Sequence, residues 1–293
     1  MIRKISKQET LSPVILEFCQ SVESFRGTKS ERYLGDIDVS YSSRISLATD
    51  NSIYQAIPQG VLFPKSTQDI EIITQVANRL EFQNIKFSPR GGGTGTNGQS
   101  LTEHMIVDVS RYMRNIIEIN VEERWVKVQA GVIKDQLNDF LRPHGFFFAP
   151  DLSTSNRATI GGMVNTDASG QGSLVYGKTS DHVLGLTAVT IGGETLNTEK
   201  QSTEQTQELA NSDHSIAPIY KQVLETATSY RDQILSTFPR LNRFLTGYDL
   251  ENVFNNDLTE FDLSRVLAGS EGTLAFITEA KLNITPIAKF KTL

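Results

Sequence analysis

Ten consecutive residues, Pro89-Arg90-Gly91-Gly92-Gly93-Thr94-Gly95-Thr96-Asn97-Gly98, contain five glycines and, after Arg90, only small or polar side chains. Glycine lets the backbone adopt positive φ and lets another group approach closely. Successive amides in such a turn can face inward as a nest for an anion. The stretch is long for a plain hairpin connection of about two to five residues. It therefore fits a pyrophosphate cradle, with a flexible glycine-rich turn as the simpler alternative.

Two familiar phosphate motifs fail on context. Gly93 to Gly98 spells G-x-G-x-x-G, but the dinucleotide fingerprint needs a helix to open inside it. The residues from Gln99 to His104 are too few and too polar for that helix. Gly93 to Ser100 approaches the P-loop pattern, yet Gln99 stands where the phosphate-binding lysine belongs.

A second stretch, Pro150 to His182, is dense in Gly, Ser, Thr and Asn and has little apolar periodicity. Thr159-Ile160-Gly161-Gly162 can open a short helix whose free amides face an anion. A third small-residue turn is Gly269-Ser270-Glu271-Gly272-Thr273. Candidate acid–base groups are sparse. His104, His144, His182 and His214 are scattered, and none has metal-ligand spacing. His182 alone follows a candidate binding segment, and a satisfied structural histidine is the commoner case. His144 sits at a helix stop and suits a C-terminal dipole partner. Lys178 and Arg243 are expected to be solvated surface cations.

The elements that must hold these stretches alternate. Ser12-Pro13 starts a helix with Ile15, Phe18, Cys19 and Val22 on one face. Val61-Leu62-Phe63 reads as a strand. Ser66 to Asp69 resembles a capping box before a helix with Ile70, Ile73, Ala77 and Leu80 inward. Residues 84–88 and 105–109 read as strands on either side of the glycine loop, a βαβ pattern with a parallel pair. Residues 116–119 and 125–128 form a hairpin with Trp125 in the core. A helix over 132–142 carries Ile133, Leu137, Phe140 and Leu141 inward. Residues 183–191 and 194–196 form a hairpin across Gly192-Gly193. Residues 197–213 read as a mobile polar excursion, and 216–238 as largely helical with Tyr230 on the apolar side. Residues 243–262 read as irregular. Strand segments at 274–277 and 280–282 close the chain.

The three glycine-rich stretches occur in the order and spacing of the FAD-linked oxidase family, with its vanillyl-alcohol-oxidase-like, PCMH-type FAD-binding domain. Asp50 to Tyr54, Pro58 and Val61 to Pro64 resemble its entry segment. Pro89 to Gly98 resembles its pyrophosphate loop. Pro150-Asp151-Leu152, Ile160-Gly161-Gly162, Asn165 and Tyr176-Gly177 resemble its second flavin segment. Thr246 to Leu250 and Gly269 to Leu274 resemble its closing motifs. Within the family the chain is most similar to the FAD domain of large bacterial D-2-hydroxyglutarate dehydrogenases, which carry a C-terminal iron–sulfur domain.

That resemblance implies an α+β fold. A helical lead-in (1–49) precedes a PCMH-type FAD-binding domain (50–288) of two α/β lobes, 50–113 and 114–288. Residues 289–293 begin a linker to a cap domain. It implies that FAD is held by Pro89, Arg90, Gly91, Gly92, Gly93, Thr94, Gly95, Thr96 and Asn97. The second segment would contribute Pro150, Asp151, Thr154, Ser155, Thr159, Ile160, Gly161, Gly162, Asn165, Gly170, Tyr176 and Gly177. Glu271, Gly272 and Ile277 would lie near the adenosine or flavin edge. Some relatives attach flavin through a histidine in the first loop. This loop has none, so the FAD is expected to be non-covalent.

The implied reaction oxidises a D-2-hydroxy acid by hydride transfer to flavin N5, and the electrons pass to a separate acceptor. Family members place most catalytic residues in the cap domain, so no catalytic residue is assigned here. The chain is expected to bind FAD with little or no turnover alone, and any iron–sulfur cluster belongs to a remainder outside it. The alternatives are a non-catalytic nucleotide- or pyrophosphate-binding module and a flavin reductase fed by NAD(P)H. A departure from the family pattern is the long insert, 251–268, between the last two motifs.

Composition agrees. At 293 residues the chain can bury a large core. A formal charge of −6 argues against a nucleic-acid footprint. The single cysteine excludes an internal disulfide framework and fits a reducing compartment. The N-terminus lacks a signal-like apolar run and no run is long enough to span a bilayer, so a cytoplasmic address is expected.

Overall fold

A computed structural model of the chain describes residues 11–27, 31–239, 241 and 247–288. The first sheet contains β1 (Asp36–Asp38), β2 (Gly60–Phe63), β3 (Phe87–Arg90) and β4 (Met105–Asp108), in the order β1-β2-β4-β3. β4 runs parallel to both β2 and β3, and β1 adds antiparallel at the edge. The residues of β2 and β4 are buried throughout, as expected of inner parallel strands covered on both faces.

Helix α1 (Pro13–Glu23) buries Ile15, Phe18, Cys19 and Val22 in the core of this sheet. Burial pushes the Cys19 thiol up to about 11, as suits a small core residue without reactivity. The lead-in is not only helical. Besides α1 and α2 (Tyr41–Ser46) it supplies the edge strand β1.

Helix α3 (Thr67–Ala77) connects β2 to β3. The Ser66 side chain caps it by accepting from the Asp69 N–H at 3.2 Å. The capping box is not reciprocal. The buried Asp69 carboxylate accepts from Leu34 N and Lys65 N, both at 2.7 Å, and so ties the lead-in to the helix. Leu80 lies beyond the helix end and is 84% exposed, because α3 stops at Ala77 and the chain turns.

The second sheet contains β5 (Ile116–Asn120) and β6 (Trp125–Gln129), then after the short β7 (Phe146–Phe147) β8 (Val183–Val189) and β9 (Thr195–Asn197). Short β10 (Gln201–Ser202) and β11 (Glu260–Phe261) pair with each other. β12 (Phe276–Asn283) enters the second sheet between β6 and β8, and β13 (Thr285–Pro286) pairs with β7. The two segments expected at 274–277 and 280–282 are thus one bulged central strand. Trp125 is half-buried at the end of β6, with its indole N–H donated to Glu123 and Lys281 over its ring. Its position at the strand end, beside charged neighbours, keeps it out of the core.

Helix α4 (Lys134–Leu141) buries Leu137 and Leu141, while Phe140 is exposed. Two short helices, α5 (Ile160–Asn165) and α6 (Ser173–Tyr176), interrupt the second glycine-rich stretch. The polar segment after β9 is built, not a loose excursion. Ser202 and Gln205 form a capping box for α7 (Thr203–Ala210), which buries Thr206 and Ala210. Helices α8 (Ala217–Ser229) and α9 (Arg231–Thr237) follow, broken at an exposed Tyr230. Arg243 and Thr246 lie outside the described residues.

Candidate functional site

β3 ends at Arg90 and opens into a cleft of about 430 Å³, within the usual range for a small-molecule or cofactor site. Its walls come mostly from three separated stretches, 89–100, 152–168 and 271–277, with Val109 and Ala130 added from elsewhere. Close backbone approach brings them together. A Cβ on Gly91 would stand 2.1 Å from Thr159 Oγ1, and one on Gly92 would stand 2.1 Å from the Arg157 carbonyl oxygen. Only glycine lets the first loop lie this tightly on the second segment. Gly272 plays the same part for the third turn: it has φ +78°, and a Cβ there would meet Pro89 Cγ at 2.4 Å.

Asn165 fastens the second and third stretches. Its Nδ2 donates to the Gly161 carbonyl at 2.9 Å, and its Oδ1 accepts from Gly272 N at 3.1 Å. Its carbonyl accepts from Glu271 N at 2.8 Å. Gln99 Nε2 then reaches Glu271 Oε1 at 3.3 Å and closes the ring back to the first loop.

The amides divide sharply. None of the six from Gly91 to Thr96 has a hydrogen-bond partner among the described residues. Those at the start of α5 are already engaged. Ile160 N and Gly161 N donate to the Val132 and Ala130 carbonyls, both at 2.8 Å, and Gly162 N donates to Thr159 Oγ1 at 3.3 Å. The short helix expected at 159–162 forms, but its first amide is spent in the antiparallel bridge between Ile133 and Thr159, its second on Ala130 and its third on the Thr159 side chain. Of these two sets of amides, only those of the first loop are left without a protein acceptor among the described residues.

Most of the sequence-predicted residues line the cleft. These are Pro89 to Asn97, then Thr154, Thr159, Gly161, Gly162 and Asn165, with Glu271 and Ile277 opposite. Others lie off it. Asp151 pairs with buried Lys134 at 2.8 Å, whose ammonium holds the Asp151 carboxyl below its usual range. Pro150 is buried beside it, and the Ser155 carbonyl accepts from Asp135 N. Ile160 is a core residue. A Cβ on Gly170 would press on the Asp151 carbonyl, and one on Gly177 on the Asp181 carboxylate. Tyr176 packs edge-on against Phe147.

Sequence reasoning missed several lining residues, including Gln99, Ala130, Leu152, Met163 and Phe276. Ala130 carries no sequence signal of its own; Gly161 lies on its methyl, where a Cβ would stand at 2.7 Å.

The titratable candidates have structural roles. His182 is buried, and its Nε2 donates to the Tyr176 carbonyl at 2.7 Å. Lys178 is not a surface cation. It is 8% exposed and paired with buried Asp167, which also accepts from Ser180 N at 2.8 Å. Among the described residues no group of three His, Cys, Asp or Glu side chains could hold a metal ion, and no described helix is long and apolar enough to cross a membrane.

Residues 58–199 match the family model for an FAD binding domain. The chain is 55% identical over its whole length to a D-2-hydroxyglutarate dehydrogenase of Escherichia coli strain K12, of which it covers 28%. It is 56% identical, over 99% of its length, to one of Pantoea ananatis, again covering 28% of that protein. The chain thus spans little more than a quarter of these relatives. Among solved structures, alkyldihydroxyacetonephosphate synthase superposes on 94% of the chain, with a TM-score of 0.64 at 18% identity and 41% of that protein covered. That likeness concerns the fold alone.

Proposed function

The chain belongs to the FAD-linked oxidase family through its FAD binding domain, and on that premise we propose that it is the cofactor-holding part of a flavin-dependent dehydrogenase acting on a D-2-hydroxy acid, D-2-hydroxyglutarate first. The observation that carries this is the row of six unpartnered amides, Gly91 to Thr96, in a loop that lines a cleft walled by two further glycine-rich stretches. The loop is half-exposed to exposed, so its amides are open to solvent and free to be taken up by a ligand, and a pyrophosphate offers several acceptor oxygens to such a nest.

Bound FAD would accept the hydride taken from the hydroxy acid. The protein's part is to bind and orient. Gly91 to Thr96 would hold the pyrophosphate by their N–H groups. Thr154 and Met163 on the second segment and Ile277 on β12 would wall the nucleotide and exclude water. The first loop offers no histidine, and Cys19 is buried in the core of the first sheet, so the hold is non-covalent.

A hydroxy-acid oxidation also needs a base for the hydroxyl proton and cations for the carboxylate. Lys178 is paired with Asp167, and His182 is absent from the cleft lining, with Nε2 bonded to the Tyr176 carbonyl and Nδ1 buried without a partner among the described residues. We assign those groups, and the route to an electron acceptor, to the length of the relatives that this chain does not span. The 293 residues alone should therefore bind FAD with little or no turnover.

Anaerobic mixing of the FAD-loaded chain with D-2-hydroxyglutarate tests this by flavin absorbance. The colour should persist in this chain and bleach in a protein of the relatives' full length. Rapid bleaching of the chain alone would show that the site is complete here. Bleaching by NADPH without hydroxy acid would overturn the substrate class.

A further inference from the structure

Arg90 heads the glycine loop, a place from which a guanidinium can meet phosphate oxygens directly. Its guanidinium points elsewhere. Nη2 donates to the Thr49 carbonyl at 2.7 Å. Nη1 donates to the Leu47 carbonyl at 3.3 Å and to Ser100 Oγ at 3.4 Å. Ser100 Oγ donates onward to Asp50 Oδ2 at 3.1 Å. The residue as a whole is 8% exposed.

The segment that Arg90 grips is itself attached to the loop. Thr49 and Gln55 form an antiparallel bridge, and Ala56 N donates to the Ala48 carbonyl at 3.0 Å, so residues 49–55 close into a turn. Asn51 N, on that turn, donates to the Gly93 carbonyl at 3.1 Å. Gly93 has φ +59°, and a Cβ there would stand 2.6 Å from Arg90 Nη2, so the loop lies directly on the guanidinium. At the far end, Tyr54 packs under Gly98, with its Cδ2 3.2 Å from where a Cβ would be.

We propose that Arg90 is a positioning residue for the cofactor loop: its guanidinium fork fastens residues 47–50 beneath Gly91 to Thr96 and thereby holds their amides in place, without pairing with the phosphates. This rests on the FAD reading above. The fork is what matters. A planar guanidinium can serve two carbonyls and a hydroxyl at once from fixed directions, whereas a lysine ammonium is a point charge on a flexible stem. Charge alone does not replace it.

The test is FAD affinity of the protein and its R90K, R90M and S100A variants, measured well below each apo-protein's melting temperature and from low salt to ~0.5 M, where exposed charge interactions are screened. R90K should bind FAD about tenfold or more weakly, close to R90M, since the fork is lost in both. The salt dependence should be the same in wild type and R90M. S100A, which removes the bond from Arg90 and the onward bond to Asp50 but no charge, should weaken FAD severalfold, and it keeps the proposal testable if the Arg90 variants do not fold. Near-wild-type binding by R90K with loss only in R90M would overturn the proposal, as would a shallower salt dependence in R90M or an S100A variant indistinguishable from wild type. Failure of the wild-type protein to bind FAD would instead overturn the cofactor reading itself, and is seen before any variant is compared.

Discussion

Gly272 donates its backbone N–H to the Oδ1 of Asn165 at 3.1 Å, a bond across 107 residues of chain. The same side chain donates to the Gly161 carbonyl, so one amide group pins the third glycine turn to the second segment. N165A removes both bonds. Two half-buried bonds, at about 0.5–1.5 kcal/mol each, amount to about 1–3 kcal/mol. Chemical denaturation should show a loss of that size, and FAD should dissociate faster from the variant. A variant with unchanged stability and unchanged FAD release would contradict the bridging role.

Two glycines in the same loop should respond differently to a methyl group. On Gly92 it would meet a backbone carbonyl at 2.1 Å, while on Gly95 it would meet only the end of the flexible Gln99 side chain at 2.6 Å. Overpacking against fixed atoms costs about 1–3 kcal/mol. G92A should lose stability in that range and lose FAD retention. G95A should cost clearly less, because Gln99 can swing away. Equal effects in thermal unfolding and cofactor retention would refute the close-packing account.

The Lys178–Asp167 pair is buried on both sides. Removing one partner strands the other charge and typically costs about 3–5 kcal/mol. K178M should show that loss in denaturant unfolding. The double variant D167N/K178M should recover much of it, because an asparagine carries no charge to strand and tolerates the φ of +44° found at Asp167. A double variant no more stable than K178M would argue against a stranded charge as the cause.

Burial raises the Asp262 carboxyl above its usual range, opposed by hydrogen bonds from Ser264 and by the charge of Arg265. The favourable contribution of a group raised in this way is present below its unfolded pKa and is lost as pH rises through the folded one. D262N should therefore gain stability relative to wild type as pH rises from about 4, the ordinary carboxylate value, toward neutrality. Parallel unfolding curves for the two proteins at acid and neutral pH would check it. A difference independent of pH would contradict the sign.

Local signals made the site more legible than the architecture. The first loop was readable because Pro89 to Gly98 combines glycines at a strand end, and the close contacts of Gly91 and Gly92 are the physical cause. The capping box at Ser202 and Gln205 was present in the sequence, but its polar surroundings masked helix α7. The position of β12 between β6 and β8 was not readable, since the pairing of a strand with partners many residues away is a tertiary choice that alternation alone does not encode. Likewise Lys178 carries no local sign that Asp167 will draw it inside.

Binding of FAD by the loop tests the central claim most directly. The protein would be saturated with FAD, desalted, and read by visible flavin absorbance, with G92A run beside it. The account predicts that wild type retains the yellow flavin bands near one FAD per chain and that G92A loses most of them. A wild-type protein that passes through the column colourless after saturation, or a G92A that retains FAD as well as wild type, would contradict it.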